Sequence, residues 1–110
     1  MWVFTKRGFF SIVQDKDDEN YLIVRARVKG DLEHEWPNSD IQEDVGSDYR
    51  YRTRLARPLV YEVMVDLASH IDYTNYKAAV NTVDQRRSEW YGMVWAIMAD
   101  MQDDFLNRKE

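Results

Sequence analysis

A chain of 110 residues, 45% apolar and with a net charge of -5, has the size of one domain and enough apolar mass to bury a core without staples. The absence of cysteine excludes a disulfide framework, a thiolate metal site and cysteine catalysis, and it fits a reducing compartment. No apolar run approaches the ~18 residues of a membrane span, and Lys6 and Arg7 interrupt the N-terminal "MWVFTKRGFF", which argues against a signal peptide; the expectation is a single cytoplasmic domain, 1–110, with no membrane partner.

The first segment reads as a hairpin, "MWVFT" and "FFSIV" joined by a turn at Gly8. "QDKDDEN" (Gln14 to Asn20) is a charged turn, and "YLIVRARVK" (Tyr21 to Lys29) is a third strand. Gly30 is expected to break that strand, Asp31 to cap a short helical turn over "DLEHEW", and Pro37 to end it. The stretch after it is irregular, with room for a brief strand around Ile41. "YRYRTRL" (Tyr49 to Leu55) is the fourth strand.

Pro58 suits the first position of a helix, whose apolar residues Val60, Val63, Met64, Leu67, Ala68 and Ile71 recur at helical spacing. A short helix over "IDYTNYKAAV" is expected with Asp72 or Thr74 as its cap. The last helix runs from about Asp84 to Leu106, with Trp90, Val94, Ile97, Met98, Met101 and Phe105 on one stripe. The order β-β-β-α-β-α-α-α predicts an α+β domain: a small antiparallel sheet of about four strands with helices packed on one face.

Alternation within the third and fourth strands separates two faces. Val24, Ala26 and Val28, with Tyr49, Tyr51 and Leu55, should face the helices. Arg25, Arg27, Lys29, Arg50, Arg52 and Arg54 should share the outer face. Cations so close repel one another unless anions lie nearby. The segment joining the two strands supplies seven acids, Asp31, Glu33, Glu35, Asp40, Glu43, Asp44 and Asp48, and no Lys or Arg. It either neutralises the arginines or forms an acidic docking surface. On the same parity argument, Tyr49 and Tyr51 lie away from the arginines, which weakens a nucleic-acid platform made of both.

Catalytic signals are few. His34 and His70 stand in no metal or base motif, and His70 suits a helix C-terminus. "DKDDEN" lacks the Gly and distal Glu of a calcium loop, and no phosphate-binding or nucleophile-elbow motif occurs. No cofactor, metal or catalytic residue is assigned. The last helix is apolar over more than half its circumference. It is therefore either buried within the chain or a homodimer face.

"MWVFTKRGFFSIVQ", "LIVRARVKGDLE", "DYRYRTRL" with "AR" after it, "IDYTNYKAAV" and "YGMVWAIMADMQ" together resemble a family of small bacterial proteins, notably of actinobacteria and their phages. The resemblance implies a single-domain intracellular protein and carries no activity or site residue. With the charge pattern it leads to the expectation of a non-enzymatic protein-binding module. Such a module would act as an inhibitor of a host nucleic-acid-handling complex, such as a CRISPR effector. Its basic protein partner would dock on Glu33, Glu35, Asp40, Glu43 and Asp44, with Trp36 as anchor. The alternative is a nucleic-acid or nucleotide-binding domain using Arg25, Arg27, Arg50, Arg52 and Arg54.

Overall fold

The computed structural model describes residues 1–108, and the chain divides into two compact units, Met1–Asp72 and the part that starts at Tyr73. In the first, β1 (Trp2–Phe4), β2 (Phe9–Gln14) and β3 (Tyr21–Ala26) form a meander. They are followed by α1 (Lys29–Glu35), β4 (Gln42–Glu43), β5 (Tyr51–Ala56) and α2 (Arg57–Ser69). Every strand pair is antiparallel, in the spatial order β1-β2-β3-β5-β4. The fold is therefore α+β. The sheet has five strands because the brief strand expected near Ile41 forms one residue later.

Register fixes which residues are buried. Phe10 and Ile12 of β2, Leu22, Val24 and Ala26 of β3, and Leu55 of β5 point to one face. There Leu32 of α1, Trp36 just after it and Val60 of α2 complete the core, with Val63 and Met64 beside them. The alternation in "LIVRA" thus does what period-2 burial requires. Val28 does not follow it, because β3 stops at Ala26 and Val28 is half exposed.

Three local expectations are corrected. Gly30 does not break a strand but sits inside α1, whose preceding residue Val28 offers no side-chain cap. Asp31 is no cap either. Its carboxylate is buried and accepts a 3.0 Å hydrogen bond from the Phe9 amide at the start of β2. Pro58 is the second residue of α2, one later than expected.

Gly8 explains how Asp31 reaches that amide. A Cβ on Gly8 would lie 2.9 Å from the Asp31 Cγ and 3.0 Å from its Cβ. Gly8→Ala is therefore expected to push Asp31 off the Phe9 amide and lower stability by roughly 1–3 kcal/mol. Urea unfolding monitored by tryptophan emission measures this. An unchanged midpoint would show that the turn absorbs the methyl group.

The second unit contains α3 (Tyr76–Val83) and α4 (Gln85–Leu106). Asn75 caps α3 by accepting from the Ala78 amide at 2.9 Å, in place of Asp72 or Thr74. Asp84 caps α4 by accepting from the Arg87 amide at 3.2 Å. The two helices meet where the rings of Tyr76 and Tyr91 stack 6.3 Å apart, and burial raises the Tyr76 phenol far above its usual range. The apolar stripe of α4 is not buried: Trp90 is 65% exposed and Ile97 66%. Among the described residues no helix is long and apolar enough to cross a membrane.

Candidate anion-binding face

The sheet face opposite α1 and α2 carries one transverse row of cross-strand partners. Trp2 is opposite Ser11, Ser11 opposite Arg25, Arg25 opposite Arg52, and Arg52 opposite Gln42. Side chains directly opposite on antiparallel strands share a face. An exposed indole, a hydroxyl, two guanidiniums and an amide therefore cross all five strands in line. With strands about 4.8 Å apart, Trp2 stands about 10 Å from Arg25.

Two guanidiniums directly opposite each other repel, and among the described residues neither forms an ion pair with a carboxylate, although Asp48 acts electrostatically on Arg25. Arg25 Nη2 donates to the Ser11 hydroxyl at 2.7 Å. Arg52 Nη2 donates to the Ser47 hydroxyl and, at 3.4 Å, to the Tyr49 carbonyl. The Nε of each is buried without a hydrogen-bond partner. A buried charged donor left unpaired costs about 1–3 kcal/mol, so this pair holds a debt that the first unit's core has to cover.

The other arginines differ. Arg54 is paired with Asp15 at 3.2 Å and lies 3.7 Å over the Tyr21 ring. Asp15 comes from the charged β2–β3 turn, not from the acidic connector. Arg50 is paired with Glu43 at 2.9 Å on the surface, which holds its pKa above the ordinary arginine value. Arg27 donates to the Asp48 carbonyl at 2.7 Å and belongs to no strand. Lys29 has left the face altogether and begins α1.

Tyr49 overturns the parity argument. It precedes β5, so strand alternation does not apply to it. Its ring is only 4% exposed, with the Arg25 and Arg27 guanidiniums 4.6 Å and 4.4 Å from its centroid. Tyr51, inside β5, does turn to the core as expected. The aromatic and basic groups thus come together after all, through Tyr49 and Tyr21. Asp48 is the acid nearest this group. The Tyr49 amide, with help from Ser47, Arg25 and Arg27, holds its carboxyl below the usual range.

The acidic connector is spread over several roles. Trp36 is a core residue, 6% exposed, packed edge-on against Phe10, with its Nε1 donating to the Leu59 carbonyl at 3.1 Å. It is not placed to anchor a partner. Glu35 accepts from or pairs with His34 at 3.0 Å, Asp40 accepts from Gln42 and Asp44 from the Gly46 amide. Glu33, Asp40, Glu43 and Asp44 are exposed. His70 follows α2 and pairs with Asp66 at 3.2 Å. Among the described residues no group of three or more His, Asp and Glu is placed to hold a metal.

Sequence reasoning named Arg25 and Arg52 but missed Trp2, Ser11 and Tyr21 as their neighbours. The signal was available in β2: Ser11 interrupts the apolar run "FFSIV" at a position where a buried hydroxyl needs a partner. No family model, no curated protein and no solved structure matches the chain.

Proposed function

We propose that the protein is a non-enzymatic binding module that takes a single-stranded nucleic acid on the sheet face opposite α1 and α2. The observation that carries this reading is the Arg25–Arg52 pair, in which, among the described residues, neither guanidinium forms an ion pair with a carboxylate. A phosphodiester between the two guanidiniums would offset their repulsion with its own negative charge. Trp2, 66% exposed in the same row, offers a base a stacking surface worth about 1–3 kcal/mol.

Binding of a labelled single-stranded oligonucleotide should fall with salt, with a slope of about -2 in log K against log salt for two to three phosphates engaged. Trp2→Ala should weaken it without changing the slope, because stacking releases no counterions. A mononucleotide titrated in parallel separates a nucleotide site from a strand site. No binding of either at low salt removes the reading.

A second reading, capture of a basic protein by the connector, is favoured by Glu33, Asp40 and Asp44. They are exposed and, among the described residues, pair with no guanidinium. Charge reversal at these three would then release a protein retained from nuclease-treated lysate, whereas the first reading leaves such retention unaffected.

A further inference from the structure

We infer that α4 is a self-association surface, on which a second copy of this chain docks with its own α4 antiparallel. Trp90, Met93, Ile97, Met101 and Phe105 fall at i, i+3, i+7, i+11 and i+15, on one stripe of the helix. They are 65%, 56%, 66%, 42% and 53% exposed. The neighbour of α4 within its unit, α3, has 8 residues against 22. At 1.5 Å per residue that is about 12 Å alongside about 33 Å, so α3 flanks only part of it.

The exposed strip is at the top of what a monomer surface carries. A large apolar side chain that is about half exposed leaves about 100 Å² in water. Five of them give roughly 500 Å² in one strip, at the upper end of the largest patches on monomeric proteins. With flanking Met98, also exposed, the strip reaches about 600 Å² per partner, the lower end of a standard interface.

Charge selects the occupant and its direction. Residues 85–89 carry two arginines and one glutamate, whereas residues 100–104 carry three aspartates and no cation. No acid stands in the first turn of α4 and no base in its last. Asp84 at the N-cap and Arg108 past the C-terminus suit the helix dipole, but within the helix the arginines stand at its start and the aspartates at its end, where each charge costs about 0.3–1 kcal/mol.

A second α4 laid antiparallel reverses the balance. Its Asp104, on the same edge of the stripe as Arg86, comes beside Arg86, and the two dipoles oppose. Asp104, which also accepts from Arg108 at 2.8 Å, can accept from a second cation as well. A parallel copy would set the aspartates against each other. The two-fold arrangement is self-complementary, as an isologous dimer requires.

The test is sedimentation equilibrium of the full chain from about 1 µM to about 1 mM, the span in which helix-mediated dimers form. The wild type should reach twice the 13.2 kDa chain mass. Ile97→Glu, at an exposed position that folding does not need, should stay monomeric with an unchanged circular dichroism spectrum. Arg86→Glu should weaken the dimer at least tenfold, and Arg86→Glu combined with Asp104→Arg should restore it. A wild type that is monomeric throughout, or a dimer indifferent to Ile97→Glu, overturns the proposal. A dimer that Arg86→Glu leaves intact, or that the double variant fails to restore, overturns the antiparallel docking.

Discussion

Replacing Arg25 and Arg52 together by methionine, with Ser11→Ala to remove the buried hydroxyl that Arg25 satisfies, should abolish oligonucleotide capture while leaving the protein as stable as before, or more stable. The two effects point in opposite directions because the pair is unfavourable in the free protein. Methionine keeps an apolar stem of similar length. It removes the cross-strand repulsion, worth a few tenths to about 1 kcal/mol, and removes both buried Nε groups that lack partners. What is lost is the 2.7 Å bond to Ser11, the bonds to Ser47 and Tyr49, and the Arg25 contact with the Tyr49 ring. Each such contact nets about 0.5–1.5 kcal/mol.

Thermal unfolding and binding measured on the same samples decide the matter. A substantial fall in melting temperature would identify the arginines as structural. Each single arginine substitution should also flatten the salt slope by about 0.7.

Trp36→Ala should unfold the first unit's core, with a loss of about 3–5 kcal/mol. Its ring is sealed against Phe10, its Nε1 is satisfied by the Leu59 carbonyl, and it joins α1 to α2 across the sheet. That loss is a large share of the 5–15 kcal/mol of a whole domain. Trp36→Phe should cost less, because it keeps the packing and gives up the hydrogen bond to Leu59. A Trp36→Ala chain with near-native stability would return Trp36 to the surface role that its charged sequence neighbours suggest.

Those neighbours show how far sequence can be read here. The alternation of Leu22, Val24 and Ala26, the stripe of α2 and the length of α4 were legible, because burial periodicity is written locally. Trp36 was not, since Glu33, Glu35 and Asp40 around it say nothing about a backbone carbonyl at Leu59. Asp31 looked like a cap for the same reason, its acceptor role being decided by Phe9, 22 residues away.

The arginine face was half legible. Parity within β5 sorted Arg52 from Tyr51, but Tyr49 lies outside the strand, where parity has no meaning. The identity of each arginine's partner depended on register. Arg54 pairs with an acid from the β2–β3 turn, whereas Arg25 interacts with Asp48 without an ion pair, although both stand in similar sequence.

The sheet ends on strands of three and two residues, β1 and β4. Such short borders expose few free amides and carbonyls for another sheet to latch onto. Growth by edge-to-edge strand addition, the route to filaments, therefore has almost no template. If copies meet through α4, the two-fold axis uses up the surface in one step, and assembly terminates at a pair. A concentrated solution of this chain should therefore stay clear and non-fibrous, with crowding changing the ratio of one species to two rather than seeding a polymer.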